Sequence, residues 1–365
     1  MGCGGGPLPD GWVYTTGVGS TVATVVWTGH GDEDVACIGP GGRTVSASAT
    51  HRRGGPSSAR LEGLLPRSRY RCRIDAPDGT VRDRIRFRTA PAGPARFRFA
   101  VVGDSGDGSR NARALARRIR AGRPDFLLHV GDMAYPHGTV EQFARRFFAP
   151  YRRLLARVPI FPAPGNHDIS KGGVYARIFA PIPGLENPRL TYAFDWGGAH
   201  FASLRYRYFG TDDTAWLTAD LAAARPLPWR FAFIHEPVYP ASKKRVASGL
   251  RARLEPLLEA ADVALLFAGH QHIYARTEPA CEHVAGAQLV QLTTGGGGAS
   301  LDPARPTANF AHAASVTHYL RVSVTPASLD VRAIGLDGHV IDRFRRRRGT
   351  PLPCRSGGWP APLEG

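Results

Sequence analysis

The chain has 365 residues, 43% of them apolar, which suffices for one or two packed domains. No run of about 18 unbroken apolar residues occurs, so no membrane-spanning helix is expected. The formal charge is +17, yet all but three of the 47 basic residues are Arg, scattered among abundant Ala, Gly and Pro. That pattern fits GC-rich codon usage better than a nucleic-acid surface, and no nucleic-acid partner is expected.

Residues 1–10 hold no apolar leader core and are expected to be disordered or processed. Two readings of this start stay open. One is a cytosolic chain. The other is a chain starting near a processing site, with Cys3 followed by glycines as in the mature start of a bacterial lipoprotein, which would put a lipid anchor on Cys3 and the protein in the cell envelope or outside it.

Residues 11–90 read as short alternating strands with polar turns. "TVATVVW" ends on Trp27, a candidate core anchor. Arg69–Thr89 reads as a hairpin around Asp78-Gly79. In "LLPRSRY", Leu64, Pro66 and Tyr70 resemble the tyrosine corner of fibronectin type III sandwiches. Residues 91–96 form a Pro/Gly-rich linker. Residues 97–350 then alternate buried strands with helices, the mark of a layered α/β domain, and residues 351–365 form a tail. The helices are predicted over "SRNARALARRIRAG" and over about Val140–Ala156. None of the five cysteines forms a CxxC pair. Cys37 and Cys72 lie in the first unit, Cys281 and Cys354 in or after the second. Two such disulfides would leave Cys3 over and suit an oxidising compartment.

Chemistry-bearing residues stand at the ends of the apolar runs: Asp104 in "GDSG", Asp132 and Tyr135 in "GDMAY", Asn166, His167 and Asp168 in "GNHD", His235 in "FAFIHEP", and His270 and His272 in "AGHQH". Strand C-terminal ends are where α/β sheets place their sites. Carboxylate, imidazole, amide and phenolate ligands suit Fe, Mn or Zn, and no Cys joins them. A lone His at a strand end is usually structural; the ordered set points to metal. His129, inside its strand, reads as a core residue. His137 is open between substrate and loop roles, Asp168 between orienting His167 and capping the next segment. "TTGGGG" reads as a glycine turn near the site, His312 and His318 as structural, and no GxSxG nucleophile motif occurs.

The order GDxG, GDxxY, GNH, a strand-borne His and GHxH resembles the purple acid phosphatases of the calcineurin-like metallophosphoesterase superfamily. The broader superfamily begins with DxH; here Gly106 takes the third position and Tyr135 enters the next motif. The resemblance implies a four-layer αββα catalytic sandwich preceded by a small fibronectin-like β-sandwich. It also implies hydrolysis of phosphate monoesters by water activated at two metal ions. Asp104, Tyr135 and His272 would hold Fe(III); Asn166, His235 and His270 would hold divalent Fe, Zn or Mn; Asp132 would bridge the two. His167 would act near the phosphate as hydrogen-bond donor or general acid. Plant-type members carry a His pair after the strand His, where this chain has Lys243, Lys244 and Arg245. Lys244 and Arg245, with Tyr239, are candidate substrate contacts; a solvated loop is the equal alternative. Two rivals stay open: a phosphodiesterase on the same metals, and a non-catalytic cell-surface binding protein.

Overall fold

The structure, a computed structural model, describes residues 8–29, 33–170, 173–185, 190–206, 210–247 and 249–354. Cys3 and its expected anchor lie outside them.

The chain opens with eight short strands: β1 (Val13–Thr16), β2 (Ala23–Trp27), β3 (Asp34–Ile38), β4 (Thr44–Ser48), β5 (Thr50–His51), β6 (Ser57–Leu61), β7 (Arg69–Asp75) and β8 (Val81–Arg88). They form two four-stranded sheets, ordered β1-β2-β6-β5 and β4-β3-β7-β8. Alternation decides which face turns inward: Tyr70, Cys72 and Ile74 of β7 are buried, while Arg69, Arg71 and Arg73 between them are exposed. The Tyr70 hydroxyl accepts a hydrogen bond from Leu65 N at 2.8 Å, closing the corner read from "LLPRSRY". Cys37 and Cys72 are register partners on β3 and β7 and form a disulfide.

The larger part holds two sheets packed face to face. The first contains β9 (Phe97–Val102), β10 (Phe126–His129), β11 (Ile160–Pro162), β19 (His318–Thr325), β20 (Ser328–Gly335) and β21 (Val340–Arg347), in the order β11-β10-β9-β19-β20-β21. The second contains β12 (Tyr192–Trp196), β13 (Ala199–Ser203), β14 (Trp229–Phe233), β15 (Leu265–Ala268), β16 (Tyr274–Thr277), β17 (Val290–Thr294) and β18 (Phe310–Ala314), in the order β12-β13-β14-β15-β17-β16-β18. Phenylalanines fill the interface: Phe99 stacks on Phe126 at 5.0 Å and meets Phe201 edge-on at 5.3 Å and Phe267 at 5.8 Å. A second disulfide joins Cys281 to Cys354.

Helices cover the outer faces, giving the αββα layering. Helix α1 (Arg110–Ala121) starts at Ser109, whose hydroxyl accepts from Ala112 N. It buries Ala112, Leu115, Ala116 and Ile119 at helical spacing. Helix α2 (Val140–Gln142), a π-helical turn (Phe143–Phe148) and α3 (Ala149–Leu155) follow one another without a break, started by a capping box between Thr139 and Gln142. Helix α4 (Val174–Phe179) is short; α5 (Thr211–Ala223) and α6 (Leu250–Ala260) pack on the second sheet through Leu217, Leu221, Leu254 and Leu258.

The N-terminal sandwich is fastened to this body. Trp12 stacks on Phe148 at 4.2 Å, Thr16 Oγ1 donates to Ile160 O at 2.8 Å, and Arg86 N donates to Ala156 O at 3.0 Å. Both parts share one apolar core.

A pH-sensitive clamp joins β12, β13 and α5. His200 reaches Asp195 through Nδ1 and Asp220 through Nε2, each at 2.8 Å. Burial alone would lower its pKa, but the two carboxylates outweigh burial and raise it from 6.5 to about 9. Its folded pKa therefore exceeds its unfolded one. The stabilisation is complete below pH 6.5 and is lost as pH rises through about 9. Screening of the exposed Asp195 limits it to about 2 kcal/mol. Urea unfolding across that window is expected to show the loss in the wild type and not in His200→Gln; parallel curves would contradict it.

Candidate metal centre

Strands β9, β10 and β11 run parallel, as do β14 and β15, and the loops at their C-terminal ends meet. Asp104 follows β9, Asp132 and Tyr135 follow β10, Asn166 and His167 follow β11, His235 follows β14, and His270 and His272 follow β15. Asp104, Asp132 and His270 all take left-handed backbone conformations, with φ of 58°, 58° and 65°. Such strain costs on the order of 1–3 kcal/mol each and persists where the surroundings enforce it.

The donor atoms fall into two groups. In the first, Tyr135 OH donates to Asp104 Oδ1 at 3.0 Å and lies 3.0 Å from His272 Nε2, while His272 Nε2 is 3.3 Å from Asp104 Oδ1. Three adjacent ligands of an octahedral ion with bonds of about 2.1 Å stand about 3.0 Å apart, so this triangle fits one ion. In the second, Asn166 Oδ1 lies 3.1 Å from His235 Nε2 and 3.2 Å from His270 Nδ1. Next to them, Asp132 Oδ2 is buried without a hydrogen-bond partner among the described residues, its distance to His235 Nε2 being 3.4 Å. A buried carboxylate oxygen left without a donor is expensive unless a cation takes it. Asp104, Asp132 and His235 each present a ligand atom within 4.8 Å of the others.

Backbone carbonyls set the imidazole tautomers. His235 Nδ1 donates to Val130 O at 2.7 Å, His272 Nδ1 to Ser300 O at 2.7 Å, and His270 Nε2 to Arg245 O at 2.8 Å. In each ring the opposite nitrogen is the one turned to the donor group, the outer-sphere arrangement that holds a metal-binding His. The charges respond accordingly. Burial alone would lower the His235 pKa, but Asp132 and Asp104 raise it to about 9. Burial, His235 and Lys244 lower that of His270 to about 3. Burial and then the two carboxylates push the Tyr135 phenol far up.

Gly106 explains why the third position of the first motif carries no side chain. A Cβ there would run into the Met133 carbonyl group. The two loops dock at this point, with Gly106 N donating to Asp132 O and Tyr135 N to Gly106 O, each at 3.0 Å. Gly165 is equally constrained, because its Cβ would strike Asp132.

His167 stands on the open side. Its Nδ1 donates to Pro136 O at 2.6 Å, its ring packs 4.6 Å from Tyr135, and its Nε2 is 3.9 Å from Asp132 Oδ2. Lys244 Nζ lies 3.0 Å from His272 Nε2.

One candidate substrate contact is corrected. Tyr239 does not line the site: it is 1% exposed and its hydroxyl donates to Glu255 of α6, because its strand-following turn folds into the apolar layer under that helix. Arg245 brings its backbone carbonyl to His270, and its side chain is exposed, as both a substrate contact and a solvated loop require. Asp168 neither orients His167 nor caps a helix. Its buried carboxylate accepts from the backbone N–H groups of Asp132, Met133, Ala134 and Gly165 at 2.7–3.1 Å. His137 is exposed, and His129 is buried with Nε2 on Ser105 Oγ.

Other contributors were not read from the sequence. Tyr206 packs edge-on to His235 at 5.5 Å and tilted to His270 at 6.2 Å. Gln271 grips the lysine loop, accepting from Ala241 N and donating to the carbonyls of Ser242 and Lys244. Its place between the two histidines of "AGHQH" was the available signal.

Residues 97–274 match the family described as Calcineurin-like phosphoesterase. Purple acid phosphatase 21 of Arabidopsis thaliana is 31% identical over 233 residues, covering 59% of this chain and 52% of that protein. Acid phosphatase type 7 of Homo sapiens is 31% identical over 250 residues, covering 60% and 56%. The chain thus spans about half the length of these curated relatives. The solved purple acid phosphatase PPD1 from yellow lupin (Lupinus luteus) seeds superposes with a TM-score of 0.78 over 93% of this chain and 74% of that one; at 19% identity the likeness concerns the fold. This chain therefore carries a calcineurin-like phosphoesterase domain over residues 97–274, with purple acid phosphatases among its relatives.

Proposed function

We propose that the chain is a purple acid phosphatase-like hydrolase of phosphate monoesters with a dinuclear metal centre. The observation that carries this reading is the pair of donor groups with Asp132 Oδ2, buried without a hydrogen bond among the described residues, beside them. Asp104, Tyr135 and His272 would hold Fe(III), and Asn166, His235 and His270 a divalent Fe, Zn or Mn. Asp132 would bridge them. Hard oxygen donors with imidazole and no thiolate suit that pair.

When bound, the metal pair supplies an activated water and draws charge from the phosphate. The chain's residues supply the rest. The carbonyls of Val130, Ser300 and Arg245 keep the imidazole rings aimed, and Asp168 holds the loop bearing Asp132. His167, with Nδ1–H committed to Pro136 O, has Nε2 available to protonate the leaving alkoxide. Lys244 is proposed to bind a phosphate oxygen; a cation taking the His272 lone pair would free its ammonium for that role. Losing one charge-assisted hydrogen bond costs roughly 1.5–3 kcal/mol. Lys244→Ala is therefore expected to lower kcat/KM for p-nitrophenyl phosphate about 10- to 100-fold. An unchanged kcat/KM would place Lys244 outside the reaction.

Two disulfides support an oxidising compartment, hence secretion or the cell envelope. The Tyr70 corner and the two antiparallel sheets support a fibronectin type III-like N-terminal unit. Rates on p-nitrophenyl phosphate against bis-p-nitrophenyl phosphate test the function. The monoester is expected to be preferred; a strong diester preference makes the protein a phosphodiesterase, and a metal-loaded protein inert on both makes it a binding protein.

A further inference from the structure

A groove of about 570 Å³ lies between the β7–β8 hairpin and the ends of α1 and α3, lined by Arg71, Arg84, Arg86, Arg120, Arg153 and Arg157, with no carboxylate in its wall. Among the described residues, none of these guanidinium groups takes part in an ion pair. Arg120 Nε is buried and has no hydrogen-bond partner among the described residues. The hairpin itself is charged against its own pairing. Arg69 stands opposite Arg88, Arg71 opposite Arg86 and Arg73 opposite Arg84. Like charges directly across an antiparallel pair are destabilising. Asp75 offsets Arg73 and Asp125 offsets Arg88, but among the described residues no ion pair offsets the Arg71–Arg86 pair. The walls are held at a fixed separation where Arg86 N donates to Ala156 O at 3.0 Å.

We propose that this groove is an anion site, separate from the metal centre, for a small ligand carrying two or more phosphate or sulfate groups. One such group uses up to two guanidinium forks, so the six present call for a multivalent ligand. The volume accommodates a scaffold of that kind. The site stands away from the strand-end loops, because α1 begins just after Asp104 and carries Arg120 to its opposite end, about 15 Å along the axis. It does not depend on the metal centre or on hydrolysis. The ligand groups belong either to a soluble polyanion or to lipid headgroups.

Calorimetric titration of the full chain tests it. The probe is myo-inositol hexakissulfate, whose sulfate esters a phosphatase leaves intact; orthophosphate is the single-group control, and phosphatidylglycerol vesicles form the lipid arm. The wild type is expected to bind the hexakissulfate one-to-one at low salt, and orthophosphate far more weakly. The triple variant Arg71→Ser, Arg86→Ser, Arg157→Ser and the double variant Arg84→Gln, Arg153→Gln should each lose about tenfold or more in affinity. Thermal unfolding checks folding, and the triple variant should melt at or above the wild-type temperature, since it removes a repulsive pair. Vesicle binding lost in the same variants assigns the groups to lipid headgroups. Undiminished affinity in both variants overturns the proposal, as does absence of hexakissulfate binding, with or without vesicle binding.

Discussion

Replacing Asp132 by Ala is expected to empty both proposed metal positions and to abolish ester hydrolysis. The carboxylate makes different use of its two oxygens. Oδ1 accepts from His167 N at 3.0 Å, while Oδ2 is buried with no donor. Burial alone would raise its pKa, but His235 and His167 hold the carboxyl well below its usual range, so it stands charged between the two donor groups. Loss of an outer-sphere partner already lowers metal affinity about 10- to 100-fold. Loss of a shared ligand should exceed that for both ions. Metal analysis after dialysis should find Asp132→Ala depleted, with far-ultraviolet circular dichroism unchanged. A variant retaining its full metal content would remove Asp132 from the bridging position.

The second large effect belongs to a residue that binds no metal in this account. Asp168→Ala removes the acceptor of four buried backbone N–H groups, those of Asp132, Met133, Ala134 and Gly165. Each unsatisfied donor costs about 1–3 kcal/mol, and water entering the vacated space recovers part, leaving a loss of about 3–5 kcal/mol. Asp168→Asn is the sharper comparison, because its amide NH₂ group must face either Asp132 N and Gly165 N or Met133 N and Ala134 N, donor against donor. Burial and the Asp132 carboxylate push the Asp168 pKa up to about 7, an expense that the N–H groups of Gly165 and Met133 reduce. Chemical denaturation should find both variants destabilised, Ala more than Asn. Wild-type stability in Asp168→Ala would show that the loop holds Asp132 without it.

The strand-end residues were legible because each motif couples an apolar run to a Gly and then a polar donor, and a parallel sheet gathers those ends on one edge. The αββα layering was legible from the alternation of fully buried strands with helices, and the Tyr70 corner from local spacing. What failed depended on which way a turn faces. Tyr239 follows His235 by four residues, and nothing in "IHEPVYP" tells whether its ring turns to the site or to α6. The contact of the Arg245 carbonyl with His270 was likewise hidden, since it depends on how the turn folds. Asp168 acts through four backbone groups drawn from two loops, a tertiary arrangement no single motif records. The left-handed conformations of Asp104, Asp132 and His270 were hidden too, since non-glycine residues adopt them only under tertiary constraint.

The central claim is that Tyr135 and its neighbours hold Fe(III) beside a second ion. A visible absorption spectrum with metal analysis on the purified protein and on Tyr135→Phe tests it most directly. Tyr135 OH stands 3.0 Å from both Asp104 Oδ1 and His272 Nε2, so a phenolate there would share an ion with them. The wild type should contain iron and show a phenolate-to-Fe(III) charge-transfer band, and Tyr135→Phe should lose that band while keeping its fold. A fully active, iron-free wild type, or a band that survives in Tyr135→Phe, would contradict the assignment.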